Sequence, residues 1–309
     1  MHRGTDIAAR TKGVAAITAS ALGFALMAAF VRLADDFGAP ISSFQKSFFR
    51  NVVALGIALV VFARARCAER GDAKARRPSA RALALLLLRS ALGTCGIFAN
   101  FYALGLVPIA DGQTLNKTAP FFTVVFAWLF LGEKASLRQV GALAIAFAGV
   151  VLVAKPGFAG EAGFPLAMGL LGGVCAGGAY ACVRALRRHE VAPAFIVVFF
   201  SAFSCLASLP FMAVHFDPMT WSQVAILFGA GAGAAIGQFG ITAAYGYAAP
   251  REIAVYDYSN ILFTAALGFA FFGQVPDAWS LAGFVLIVLA AFRLNRSHAG
   301  DAPQPGSRR

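Results

Sequence analysis

Five charged side chains fall inside otherwise apolar stretches: Lys46, Arg50, Arg89, Lys117 and Asp257. A charge near the centre of a bilayer costs about 2.5–3.5 kcal/mol on insertion scales, so each needs a partner or a water-filled cavity. Lys117 lies in "TLNKTAPFF" (114–122), six residues after Asp111, or about 9 Å along a helix. Its stem could snorkel to the interface. Pro120 argues otherwise: it cannot donate to the carbonyl of Asn116 and crowds it, leaving a bent helix with a free acceptor beside Lys117. Irregular backbone at membrane depth is tolerated where it faces a cavity, and that reading is preferred.

Asp257 is too short to snorkel, and it lies about 8 Å inside the boundary marked by Arg251. Lys117 and Asp257 either hold two helices together as an ion pair or bracket a ligand carrying both signs of charge, such as an amino acid; the two are not exclusive. Tyr256, Tyr258, Ser259 and Asn260 surround Asp257 and offer groups that orient a ligand, whereas Tyr245 and Tyr247 read as interfacial anchors. Asn100, Tyr102, Gln113, Thr114, Asn116 and Thr118 supply further polar edges. Helical steps of three and four place Gln113, Asn116, Lys117 and Pro120 on one face, a candidate cavity wall.

Lys46 is read as snorkelling. Arg50 is deeper, and it either pairs with backbone carbonyls or coordinates an anionic group. With Arg89 and Lys117 set against Asp257 the interior is cationic, which favours a cargo bearing carboxylate or phosphate. The four histidines, His2, His189, His215 and His298, fall in loops or termini, and there is no HExxH, no catalytic carboxylate pair and no phosphate-cradling loop. No enzyme, cofactor or metal site is expected.

These side chains must be positioned by membrane helices. Of 309 residues 59% are hydrophobic and 13% charged, with a mean hydropathy of +0.73, well below the charged fraction of soluble proteins, about 25%. Spanning helices need roughly 20 apolar residues. Stretches of this kind recur at approximately 13–33, 42–63, 82–104, 110–131, 137–154, 165–185, 194–213, 221–244, 252–272 and 278–293. The formal charge of +12 therefore belongs to a membrane topology and not to nucleic acid. With the N-terminus in the cytoplasm, twenty of the 26 Lys and Arg residues lie inside, Arg32 and Lys155 lie outside, and four are within spans. Both termini are thus expected in the cytoplasm, in a cytoplasmic membrane.

The chain also repeats. "FVRLADDFGAP" (30–40) corresponds to "CVRALRRHEVAP" (182–193), and at an offset of 141 Gly105, Phe122, Thr123, Phe130 and Gly132 match Gly246, Phe263, Thr264, Phe271 and Gly273. Five spans per repeat is an odd number, so the second copy enters the membrane from the opposite side. Two inverted halves that exchange conformations can open a central site to alternate sides, which is the logic of a carrier. The alignment sets Asp257 against Asn116 and Tyr258 against Lys117, and places the candidate site between spans three, four, eight and nine. Glycines at 229, 233 and 237, and at 173 and 177, read as packing faces.

The segment "YALGLVPIADGQTLNKTAPFFTVVFAWLFLGEKASLRQVGALAIAFAGVVLVAKPG" (102–157) resembles the EamA domain of the drug/metabolite transporter superfamily, and "YSNILFTAALGFAFFGQVPDAWSLAGFVLIVLAAF" (258–292) resembles its second copy. The resemblance implies ten helices in two inverted five-helix repeats and transport of small metabolites, often export. The Gly132–Glu133 pair becomes Gly273–Gln274 in the second copy, a departure that removes one ionisable group.

The expected organisation is an all-α membrane protein: a cytoplasmic tail (1–12), a first repeat (13–154), an extracytoplasmic connection (155–164), a second repeat (165–293) and a cytoplasmic tail (294–309). The expected activity is alternating-access transport of an amino acid or related zwitterion; export is a direction the resemblance often implies, and the residues do not fix it. An anionic or nucleotide-derived cargo and a non-transporting scaffold or receptor stand as alternatives. Contact with membrane lipid is expected; the basic loop 64–81 reads as a solvated cytoplasmic connection, with binding of anionic headgroups as the lesser alternative, and oligomeric state is not legible.

Overall fold

The computed structural model describes residues 2–68, 79–106, 113, 115–154, 163–273, 275 and 278–300. Asp111, Thr114, Lys155, Gln274, Arg308, Arg309 and most of the basic loop 64–81 lie outside the described residues. Ten principal helices follow in order among them: α1 (His2–Leu33), α2 (Ser43–Ala68), α3 (Ala80–Leu106), α4 (Ala119–Leu131), α5 (Leu137–Ala154), α6 (Gly163–Arg188), α7 (Pro193–Val214), α8 (Trp221–Tyr247), α9 (Ser259–Phe272) and α10 (Ala278–Gly300). Seven helical stretches are long and apolar enough to cross a bilayer, and shorter apolar helices cover Ala119–Leu131, Val140–Leu152 and Leu281–Ala290. The first helix begins at His2, and its span-like apolar stretch begins at Ala8.

Local chemistry sets the boundaries. Pro193 opens α7, where a missing N–H costs nothing. At the start of α8, Thr220 Oγ1 accepts from Gln223 N at 3.2 Å while Gln223 Oε1 accepts from Thr220 N at 2.9 Å, a reciprocal cap. Helices α4 and α9 both end on a left-handed glycine, Gly132 at φ 66° and Gly273 at φ 62°. These glycines are 141 residues apart, the offset of the sequence repeat.

Packing carries the same symmetry. Helix α1 lies against α8 as α6 lies against α3; α4 packs on α6 as α9 packs on α1; α2 meets α8 as α7 meets α3; and α2 meets α7, and α5 meets α10, across the axis. Exchanging α1–α5 for α6–α10 maps this set of contacts onto itself, as an in-plane two-fold requires. Glycine makes the tightest approaches. A Cβ on Gly96 would sit 3.2 Å from the Gly172 carbonyl oxygen of α6, and one on its counterpart Gly237 would sit 2.6 Å from the Phe24 ring of α1. These are packing faces, as their spacing suggests. Large apolar side chains such as Leu88, Val60, Phe130 and Val288 are exposed on the outside of the bundle, the surface that lipid covers in a membrane protein.

Candidate functional site

The site is built on two broken helices. The fourth span is not one continuous helix: a turn at Lys117 and Thr118 separates Leu115 and Asn116 from α4, which starts at Ala119 with Pro120 in its first turn. Proline is compatible with that position and not with a helix interior, so the expected bend becomes a break. The ninth span is broken at the equivalent place, where a short helix (Pro250–Ile253) and a 3-10 segment (Ala254–Tyr258) precede α9. At each break a hydroxyl adds a second hydrogen bond to a carbonyl that the backbone N–H of the same residue already engages. Thr118 Oγ1 donates to Leu115 O at 2.8 Å, and Ser259 Oγ donates to Tyr256 O at 2.7 Å. Both residues of one pair are 141 positions from those of the other.

The breaks are also packed alike. Gly173 of α6 lies so close to the first that a Cβ would meet Thr118 Oγ1 at 2.1 Å and Leu115 O at 2.7 Å. At the second, Asn260 Nδ2 donates to Ala21 O of α1 at 2.6 Å.

From these breaks Lys117 and Asp257 reach each other: Lys117 Nζ lies 3.4 Å from Asp257 Oδ2, with both side chains almost fully buried. The repeats thus meet in an ion pair between spans four and nine. Asp257 Oδ1 has no hydrogen-bond partner among the described residues.

Beside the pair runs a cavity of about 60 Å3, several times the about 10–15 Å3 that one water needs, so its polar wall can be wetted. Along α3 its lining extends from Arg89 to Phe101, a rise of about 18 Å. Gln113, Asn116 and Lys117 form part of the wall, and Asn100 another part. Three members of the expected polar stripe thus face the cavity, whereas Pro120 is buried and does not reach it.

Arg50 and Arg89 both line the same cavity, each 1% exposed. Arg89 Nη2 donates to Gln238 Oε1 at 2.6 Å, and its guanidinium lies 3.6 Å from the centre of the Phe200 ring. Gly93 makes room for this stack, since a Cβ there would be 2.8 Å from Phe200. Arg50 Nε donates to the Met27 sulfur at 2.9 Å, a weak acceptor. Among the described residues Arg50 Nη1 and Arg89 Nε and Nη1 have no partner, and no carboxylate pairs with either arginine. The backbone-carbonyl pairing considered for Arg50 is absent among the described residues. Burying an unpaired charge costs several kcal/mol, roughly the 3–5 seen when one partner of a buried pair is removed.

Three candidate residues lie elsewhere. Tyr102 is 41% exposed and packs edge-on against Phe164; it is two residues from Asn100, about 200° around the helix, and so faces away. Tyr258 is buried in an apolar cluster with Val124, Leu143 and Ala146. Asn260 is held by α1. Tyr245 is also not an interfacial anchor: it is fully buried with Leu86, Leu186 and Ile241, while Tyr247 is exposed. Lys46 does reach outward from its span, but to an ion pair with Asp35 at 2.6 Å.

The sequence reading missed Gln238, Tyr180, Phe200, Phe24 and Met27, all on the cavity wall. Gln238 left a signal, a lone amide following the glycine series of α8; the aromatic residues left none. It also missed the role of Glu133. This buried carboxylate accepts from Arg184 Nε at 2.9 Å and pairs with Arg188, while Arg184 Nη1 donates to Tyr245 O at 3.0 Å. The charged end of the Leu-Gly-Glu element thus ties α4 to α6 and α8.

Comparison with known proteins agrees with this architecture. The sequence profile of the EamA-like transporter family matches residues 11–155 and again 163–296. The pseudopaline exporter CntI of Pseudomonas aeruginosa is 31% identical over 290 residues, covering 93% of this chain and 97% of that protein. A riboflavin transporter of Vibrio cholerae is 29% identical over 211 residues, covering 66% of this chain and 68% of its own length. A solved crystal structure superposes with a TM-score of 0.72 at 18% identity, covering 94% of this chain and 98% of the other, which establishes the fold alone. Two matched halves, ten helices and relatives that are transporters rather than enzymes lead to one assignment: the chain belongs to the EamA-like transporter family, multi-pass membrane transporters of small metabolites.

Proposed function

We propose that the chain moves an amino acid or related zwitterion across the cytoplasmic membrane by alternating access, in the direction of export, with both termini in the cytoplasm. The observation that carries this reading is the Lys117–Asp257 pair, one charge from each repeat, placed at two equivalent helix breaks beside a polar cavity. A zwitterion can replace the pair group for group, its carboxylate at Lys117 and its ammonium at Asp257. Cargo then substitutes for the tie between the halves, 13–154 and 165–293, and binding is coupled to their separation. Asn116, Gln113 and Asn100 orient the cargo, while Tyr258, Asn260 and Tyr102 shape the frame around it.

The closed end of the cavity is consistent with such a cycle. Below Arg89, the first turns of α3 enter an apolar cluster of Leu86, Ile17, Leu186 and Tyr245, and the Glu133–Arg184–Arg188 ties lie on the same side in the topology proposed here. Export accords with the exporter of Pseudomonas aeruginosa, a relative matched over 93% of this chain.

Reconstitution into proteoliposomes tests the reading. Wild-type protein should carry radiolabelled amino acids, and Lys117→Ala and Asp257→Ala should each reduce that flux while the protein still inserts. Full flux in both variants would show that the pair is not part of the site.

A further inference from the structure

The Lys117–Asp257 pair is neutral as a unit, but the cavity beside it is not. Arg50 from α2 and Arg89 from α3 converge on that cavity, buried and without a carboxylate among the described residues. The unpartnered hydrogen-bonding atoms are mainly donors: Arg50 Nη1, Arg89 Nε and Nη1, and Gln113 Nε2. Asn100 Oδ1 is the unpartnered acceptor on the same wall. Other uses of the arginines are only partly filled. Met27 sulfur is a poor acceptor for Arg50, and Gln238 and the Phe200 ring engage Arg89 without cancelling its charge. Gly93 leaves the space in which Arg89 sits over the Phe200 ring, and its Nε and Nη1 donors remain without a partner among the described residues.

We propose that Arg50 and Arg89 form a two-cation clamp for a dianionic cargo, an organic metabolite bearing two acidic groups, with its amine at Asn100 and Asp257 where it has one. Two guanidiniums on separate helices offer donors in fixed forks, the geometry that selects carboxylate or phosphate oxygens. One acidic group restores neutrality at one arginine; two are needed for both. The cargo is then net anionic at neutral pH, not an electrically neutral zwitterion. This rests on the carrier reading above, keeping its transport cycle and revising its cargo from a neutral zwitterion to an anionic metabolite.

The test uses purified full-length protein. Thermal unfolding is followed at constant ionic strength with L-aspartate, succinate, glycerol 3-phosphate and L-leucine, because a ligand of the native state raises its midpoint. L-Aspartate and succinate, or glycerol 3-phosphate if the acidic groups are on phosphorus, should stabilise the wild type where L-leucine does not. In Arg50→Gln and Arg89→Gln the apparent affinity for the stabilising dianion should fall about tenfold or more, as expected for losing a charge-assisted contact. Arg50→Lys and Arg89→Lys keep the charge and serve if the glutamine variants do not fold; they should show a smaller loss. On a solid-supported membrane, dianion transport should give a transient current and neutral amino acids none. The clamp is overturned if L-leucine stabilises or is transported and the dianions are not, which leaves the carrier reading standing, or if the arginine variants respond to dianions like the wild type. Flux of no probe in proteoliposomes, with dianion stabilisation lost in the arginine variants, supports the clamp and counts against the carrier reading instead.

Discussion

Removing the buried pair one charge at a time should be worse than removing it whole. In Asp257→Asn the ammonium of Lys117 stays buried without its counter-ion; in Lys117→Met the carboxylate of Asp257 does. The charges are 3.4 Å apart, with 6% and 2% of their side chains exposed. At an effective dielectric of about 20 their attraction is about 5 kcal/mol, in line with the roughly 3–5 kcal/mol lost when a buried pair is broken from one side. The double variant carries neither charge and escapes this penalty; its expected cost is about 1 kcal/mol or less. At about 2 °C per kcal/mol for a long chain, each single substitution should lower the unfolding midpoint of the detergent-purified protein by about 6–10 °C and the double by about 2 °C or less. Tryptophan fluorescence during heating measures all four proteins. If the double loses what the two singles lose together, the groups are independent, and the link between the repeats has been misread.

Three further outcomes follow from the same geometry. Gly173→Ala puts a Cβ into Thr118 Oγ1 and the Leu115 carbonyl; the broken turn must shift, costing about 1–3 kcal/mol in thermal stability, and proteoliposome flux should fall with it. Thr118→Val and Ser259→Ala each remove the hydroxyl hydrogen bond to an equivalent carbonyl, so their destabilisations should match at about 1 kcal/mol each; a large loss from one alone would break the equivalence of the two turns. Glu133→Gln removes the counter-ion of Arg184 and Arg188. Because Arg188 is 43% exposed and can turn to water, the loss in unfolding free energy should be about 2 kcal/mol, below that of Asp257→Asn.

Much of the architecture was legible because lipid imposes a simple rule. A span must be apolar for its full length, so Lys117 and Asp257 stood out against their surroundings with no knowledge of what they touched. The duplication was legible for a similar reason: Gly132 and Gly273 are needed at a left-handed turn that few other residues tolerate, and their spacing survived in the sequence. Pro120 announced a disturbed helix, though not a break at Lys117 and Thr118.

Facing was harder. Asn100 and Tyr102 were both read as polar edges, yet α3 can present only one of them to the cavity, and the choice belongs to its packing against α6 and α7. Tyr258 shares its repeat position with Lys117 but is enclosed by α5 and α10 side chains, where an aromatic ring gains more from burial than from a ligand. Gln238 sits in a stretch of glycines whose obvious purpose is close packing, and its second role exists only because α8 brings it to Arg89.

From its order of residues alone, this chain is committed to ten apolar helices, a repeat and a few charges that must be sheltered, because the cost of placing a polar group in lipid depends on its local surroundings. The shelter each charge found was decided in three dimensions. Lys117 met a carboxylate 140 residues away, while Arg50 and Arg89 met a thioether, an amide and an aromatic ring. Electrostatic attraction acts over a few ångströms of space and takes no account of separation along the chain, so only the folded packing of the two halves determines which charges are cancelled and which are left facing the cavity.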